Sequence, residues 1–284
     1  MNPTERRELL RKHLASNTCI QPVSVFDPIS ARIASSLGLN VGMLAGSVAS
    51  AVILGVPDIT MITLTELSEQ ARRITRASTL SLIVDADHGY GNALNVMRTV
   101  QELENAEVAA LTIEDTVLPQ PFGTSSDSLI SIDEAVGKLR AALASRRDPA
   151  TVIIGRTSAM GNEGISGALK RIHAYSSTGI DALFFTKVTT IEQLQAIHKS
   201  TTLPIFLGSA PPVLQDLTLL ASHGVRISLQ GHAPFEKMVL GLYTSIQEQA
   251  QVNGQANKPL SEEAIIQAAL ASEKYTIWHK NFLK

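Results

Sequence analysis

Short apolar runs alternate with longer stretches of helix-period sequence along most of this chain. The apolar runs predict strands at residues 20–26, 41–44, 80–84, 110–113, 152–155, 182–185, 205–207 and 225–229. Between them, apolar residues recurring every three or four positions predict helices at 64–77, 93–105, 132–145, 164–177, 191–199 and 213–222. Helix starts are marked at Thr65, Asn92 and Ser131, and stops at Gly179 and Gly224. Eight strands with helical crossovers fit a (β/α)8 TIM-type barrel, whose usual size is about 250 residues. A doubly wound open sheet would place a Gly-rich phosphate turn after its first strand, and here that position reads Phe26-Asp27-Pro28. The alternation reads as a single domain, 1–284, with an N-terminal helix. A polar hinge at 252–262 precedes an additional C-terminal helical segment from about residue 261.

Composition narrows the partners. Hydrophobic residues make up 44% of the chain, enough for a large core, and the net charge of −2 with 4% aromatics disfavours a nucleic-acid or anionic-membrane surface. The most apolar stretch, 41–56, falls short of the ~20 residues that span a bilayer. The charged N-terminal segment lacks the apolar core of a signal peptide. A single cysteine, Cys19, excludes an intramolecular disulfide framework, fits a reducing cytoplasm and reads as a small core residue rather than a catalytic thiol. The expectation is a cytoplasmic protein with a small-molecule substrate and no nucleic-acid or membrane partner.

In barrels the chemistry gathers at the carboxyl ends of the strands. That rule nominates Asp27, Ser47, Asp85, Asp87, Glu114, Arg156, Lys187, Ser209 and His232, and all but Asp27, Lys187 and Ser209 form a coherent set. Asp85 and Asp87 end one apolar run two residues apart, so both can aim at one point. Glu114 ends the next run. Three acids at one mouth repel one another unless a cation compensates, and hard oxygens beside a glycine-loosened backbone suit Mg2+, with Mn2+ as an alternative. Arg156 reads either as a planar fork for a substrate carboxylate or as an ion pair with Glu114 or Glu163. Ser47, in Ala45-Gly46-Ser47-Val48, reads as a site for an anionic oxygen or as a plain tight turn. His232 stands evenly between a site residue and a solvated one. His88 is expected to point away from the mouth, and His13, His173, His198, His223 and His279 to lie on helix surfaces.

With Ala45-Gly46-Ser47, Asp85-Ala86-Asp87-His88-Gly89-Tyr90-Gly91, Ile113-Glu114-Asp115 and the strand-end Arg156, the chain resembles the isocitrate lyase / phosphoenolpyruvate mutase superfamily from about Phe26 to His232. The resemblance implies Mg2+-stabilised enolate chemistry on 2-keto or 2-hydroxy dicarboxylates. It implies Asp85 as the direct metal ligand, with Asp87, Glu114 and Asp58 acting through waters. It also implies a C-terminal helix exchanged between subunits of a homotetramer built as a dimer of dimers. Lyases of the family carry a KKCGH-type segment after the acidic pair, whereas here Thr116-Val117-Leu118-Pro119-Gln120-Pro121-Phe122-Gly123 has no Cys, Lys or His. Nor does 116–131 contain the asparagine of the phosphonopyruvate enzymes. The branch that remains decarboxylates oxaloacetate to pyruvate. In it Ser47 and Arg156 would hold the C1 carboxylate and keto end, and His232 would contact substrate near the keto oxygen. The alternatives are a hydrolase or C–C lyase acting on a related diacid, and a barrel that binds dicarboxylates without turnover. The loop 116–130 is a candidate gate.

Overall fold

The computed structural model describes residues 1–124, 128–255 and 260–284. Among them, eight parallel strands pair in chain order: β1 (Val23–Ser24), β2 (Val41–Leu44), β3 (Ser81–Asp85), β4 (Ala110–Glu114), β5 (Val152–Thr157), β6 (Ala182–Phe185), β7 (Ile205–Gly208) and β8 (Val225–Leu229). The ring closes through Ile20. Its N–H donates to Arg226 O at 3.0 Å, and its carbonyl accepts from Ser228 N–H at 2.9 Å. This is the (β/α)8 barrel that the alternation predicts.

Around the strands lie α1 (Pro3–Leu14), α2 (Pro28–Ser36), α3 (Gly46–Leu54), α4 (Leu64–Ala77), α5 (Ala93–Asn105), α6 (Ile132–Ser145), α7 (Ala159–Asn162), α8 (Gly164–Ser176), α9 (Ile191–Ser200), α10 (Leu217–Ser222) and α11 (Ala233–Val252). The chain then adds α12 (Glu262–Ala269) and α13 (Ser272–Phe282). No described helix is long and apolar enough to cross a membrane.

Strand parity divides the core in two. Ile83, Ala110, Val152, Ile154, Ala182, Phe184, Phe206 and Ile227 meet inside the barrel, together with Leu10 and Leu14 of α1. Their neighbours Leu82, Val84, Leu111, Ile153, Leu183, Phe185 and Leu207 face outward against the helices. The inward parity continues past the apolar residues to Asp85, Glu114 and Arg156. The same alternation that fills the barrel therefore aims these polar side chains into its mouth.

Several expected boundaries change. The first strand is short, because Pro22 has no N–H for the ladder and separates the Ile20 bridge from Val23–Ser24. The cap of α4 is Thr63 rather than Thr65: the Thr63 hydroxyl accepts from Glu66 N–H while the Glu66 carboxylate accepts from Thr63 N–H, a reciprocal box that needs this three-residue spacing. The single helix expected over 213–222 is a 3-10 turn, Pro212–Leu214, followed by α10, which Asp216 starts anew by accepting from Thr218 and Leu219 N–H. The C-terminal extension is two helices, divided at Ala271, whose φ of 51° lies in the left-handed region. Residues 256–259 of the expected hinge lie outside the described residues.

Candidate active site

A cavity of about 820 Å3 opens at the carboxyl ends of the strands. Asp58, Asp85, Asp87, Glu114, Arg156, Ser47 and His232 all line it. Sequence reasoning nominated every one of these, Asp58 through resemblance alone.

Asp85 is the hub. Its Oδ1 accepts from the Thr112 hydroxyl at 2.8 Å and from Asp87 N–H at 3.3 Å, and its Oδ2 from Arg156 Nη1 at 2.5 Å. Arg156 Nε lies 3.0 Å from Glu114 Oε2, close enough for charge attraction though without the alignment of a hydrogen bond. The guanidinium carbon also sits 5.3 Å from the centroid of the Phe184 ring, so an aromatic face supports the cation. The ion pair with Glu114 is thus real, and Glu163 binds Arg171 instead.

Asp87 has left strand geometry, with a φ of 46°, while its carbonyl still accepts from Glu114 N–H at 2.8 Å. Its carboxylate lies against Gly46: a Cβ there would stand 2.7 Å from Oδ1. Only a glycine leaves that space.

Four carboxylates face one guanidinium in this mouth, and the electrostatics follow from that excess. Burial, then the charges of Asp85, Glu114 and Asp58, pushes the Asp87 carboxyl well above the usual range. Burial raises Glu114 to about 7, with Arg156 opposing and Asp85 adding to the rise. Desolvation and the Asp85 charge raise Asp58. A group of acids held against its own repulsion, with a glycine cradle beside it, fits a divalent cation. Among the described residues no three His, Cys, Asp or Glu side chains converge as direct ligands of one ion. Asp58, Asp85, Asp87 and Glu114 are the carboxylates that could hold such an ion, directly or through the waters that Mg2+ keeps.

His232 follows β8 and stands between two hydroxyls, Ser24 Oγ at 3.2 Å from Nδ1 and Ser47 Oγ at 3.3 Å from Nε2. Desolvation holds it below the ordinary histidine pKa against the raising effect of Glu236, Asp58 and Asp85. Ser47 sits in the first turn of α3 and lines the same cavity, and the first N–H groups of that helix have no partner within it.

The other nominated residues divide. Asp27 is the N-cap of α2, accepting from Ser30 N–H at 2.7 Å, and not a site residue. Lys187 and Ser209 line the cavity, with Lys187 Nζ donating to Asn162 Oδ1 at 2.9 Å. Cys19 is buried, and burial pushes its thiol up to about 11, as a core residue requires. His88 is buried away from the cavity. His279, expected on the surface, instead lines the mouth, where its Nε2 lies 2.9 Å from Gln120 Oε1 and α13 meets the loop after β4. Nothing in the local pattern of α13 signals this. Ser24 was also missed, because it lies inside an apolar run.

The phosphoenolpyruvate phosphomutase family matches residues 10–250 of the chain. A protein named oxaloacetate decarboxylase from Rhodopseudomonas palustris (strain BisB18) is 52% identical over 275 residues, covering 95% of each chain. Among solved structures, a phosphonopyruvate hydrolase in complex with oxalate and Mg2+ is 26% identical with a TM-score of 0.76, covering 100% of both chains. An oxaloacetate acetylhydrolase bound to the inhibitor 3,3-difluorooxalacetate is 25% identical with a TM-score of 0.77, covering 100% of this chain and 99% of that one.

Proposed function

The chain belongs to the phosphoenolpyruvate phosphomutase family, and we propose that within it this protein decarboxylates oxaloacetate to pyruvate and CO2 with the help of Mg2+ or Mn2+. The observation that carries this reading is the relative named oxaloacetate decarboxylase, 52% identical over 95% of both chains.

The geometry supports the chemistry. Loss of CO2 from a 2-keto diacid moves negative charge onto the keto oxygen, so the groups that accelerate it are those that bind this charge more strongly as it grows. A divalent cation at Asp85 would supply Lewis-acid stabilisation there. The guanidinium donors of Arg156 that Asp85 and Glu114 leave over take a carboxylate of the substrate. Ser47 and the α3 N-terminus bind its oxygens, and His232 orients the keto end. No nucleophile is needed, in keeping with the absence of cysteine from 116–123. Exposed apolar residues Met238, Leu242 and Ile246 on α11, with Trp278 and Phe282 on α13, support association of several copies, a tetramer of paired dimers with exchanged C-terminal helices. A cytoplasmic location agrees with the single buried thiol.

The test is pyruvate formation from oxaloacetate with Mg2+, with and without EDTA, for the wild type and His232→Ala. The expected result is an EDTA-sensitive rate far above that of free Mg2+, lowered by the substitution. A rate no better than free Mg2+ overturns the reading. Acetate among the products, as a hydrolase would release, turns it toward the alternative reaction on the same diacid.

A further inference from the structure

The turn that carries Asp87 runs on from the end of β3, where its carbonyls need donors from outside a regular ladder. Three of them have neutral ones. Ala86 O accepts from Gly89 N–H at 2.9 Å, Asp87 O from Glu114 N–H at 2.8 Å, and Gly89 O from the Thr99 hydroxyl at 3.0 Å. The fourth, His88 O, accepts from Lys138 Nζ at 3.1 Å. Lys138 is buried, and it reaches the turn from α6, on the outer side of the barrel. A hydroxyl such as that of Thr99 satisfies a carbonyl without bringing a charge, whereas a buried ammonium is costly unless negative groups lie near it. They do: Lys138 lines one small gap with Glu114 and Asp115 of β4. Desolvation lowers the Lys138 pKa, and Glu134, Asp115 and Glu114 oppose that fall. The residue held this way adjoins one that needs holding. Asp87 has a φ of 46°, which a non-glycine residue keeps only when its surroundings fix it, and its own N–H makes no more than a 3.3 Å bond to Asp85 Oδ1.

We propose that Lys138 is a positioning residue for the ion site: by holding His88 O it fixes the turn that aims Asp87, and it does so from behind the barrel wall, without lining the cavity. This role and the lysine's charge act with opposite signs. A cation near the acids repels Mg2+, so charge alone makes the site bind Mg2+ more tightly once Lys138 is neutralised. A turn set loose from α6 makes it bind less tightly, because the carboxylate is no longer kept in its place beside Gly46. The inference rests on the proposed ion among these acids and is independent of the substrate.

The experiment is calorimetric titration of the substrate-free protein with Mg2+. Lys138→Met, which keeps an unbranched stem but neither charge nor donor, is expected to weaken Mg2+ binding about tenfold, as loss of an outer support of a metal site does. Lys138→Arg, which keeps both charge and donors, is expected to recover most of the lost affinity. In assays with oxaloacetate, Lys138→Met raises the Mg2+ concentration for half-maximal rate, while the rate at saturating Mg2+ returns to within about twofold of wild type. Lost stability alone does not imitate this pattern: Leu10→Ala, destabilised at the opposite end of the barrel, is the control and keeps wild-type Mg2+ affinity. Unchanged or tighter Mg2+ binding by Lys138→Met overturns the proposal. Should that variant fail to fold, Lys138→Gln, whose amide is one bond too short for the His88 carbonyl, decides between the same two signs. A wild type that binds no Mg2+ removes the proposed ion and this inference with it. A wild type that binds Mg2+ without turning over oxaloacetate removes the proposed reaction alone.

Discussion

Gly46 and Asp87 show how one backbone position can decide a site. The Asp87 carboxylate occupies the space where a Gly46 side chain would begin, 2.7 Å from Oδ1 and 3.1 Å from Oδ2. Gly46→Ala is a favourable change for the helix that starts there, so the thermal midpoint is expected to hold while the displaced carboxylate loses its place. Calorimetric titration with Mg2+ should show affinity down at least tenfold. Asp87→Asn runs the other way. It removes a charge that is buried among Asp85, Glu114 and Asp58 and held well above its usual pKa, so the ion-free protein should gain stability. A gain of about 1 kcal/mol corresponds to a rise of roughly 2–4 °C, read by thermal denaturation in EDTA, with Mg2+ binding weakened in the same variant. A fall in the midpoint would mean that the carboxylate holds the fold rather than the ion. Asp85, Asp87 and Glu114 were legible because each is a polar residue ending an apolar run. Ser24 was not, because a serine inside a strand looks like any other small residue until the partner from β8 is known.

Parity at the element scale explains what the acidic pair on β4 does. Glu114 continues the inward row and joins the mouth, whereas Asp115 turns outward. There its Oδ2 accepts from the Tyr175 hydroxyl at 2.6 Å and from Arg171 Nη1 at 3.1 Å. Arg171 in turn binds Glu163 at 2.7 Å and 3.0 Å, so α8 is clamped both to the end of β4 and to the residue that joins it to α7. Two adjacent acids thus serve different purposes, one chemical and one structural. Tyr175→Phe leaves the Asp115 carboxylate with one donor fewer in a buried site and should cost about 1–3 kcal/mol by urea denaturation. KM should stay within about twofold, since none of Asp115, Glu163, Arg171 and Tyr175 lines the cavity; a large rise in KM would place the clamp in the site. The helices were mostly legible from their periodicity. The errors came where one residue overrode the pattern: Pro22 in the ladder, Thr63 in the capping box, Asp216 restarting a helix, and Ala271 turning left-handed.

The whole molecule separates stability from chemistry along the barrel axis. At the amino ends of the strands α1 closes the floor. Leu10 is fully buried in the inner core, and Arg7 donates to Val108 O at 3.0 Å and Glu104 O at 3.1 Å while pairing with Asp148 at 2.6 Å. This arginine therefore ties the floor helix to carbonyls at the end of α5 and in the turn before β4. At the opposite end sit the acids, Arg156 and His232, where α13 and the loop after β4 meet through His279 and Gln120. An N-terminal helix was legible in the sequence but its role was not, because a lid on a barrel floor buries arginines that a surface helix would leave in water. The separation predicts a pair of opposite phenotypes. Leu10→Ala removes a fully buried side chain, with an expected cost of about 2–5 kcal/mol, while KM and kcat measured well below the new midpoint stay close to wild type. Asp85→Ala should do the reverse: it abolishes Mg2+-dependent product formation and leaves the midpoint within a few degrees. The two variants measured side by side test the assignment of both ends. If Leu10→Ala instead shifted KM by tenfold at a temperature where it is fully folded, floor and mouth would be coupled through the inner core, and the division of labour argued here would not hold.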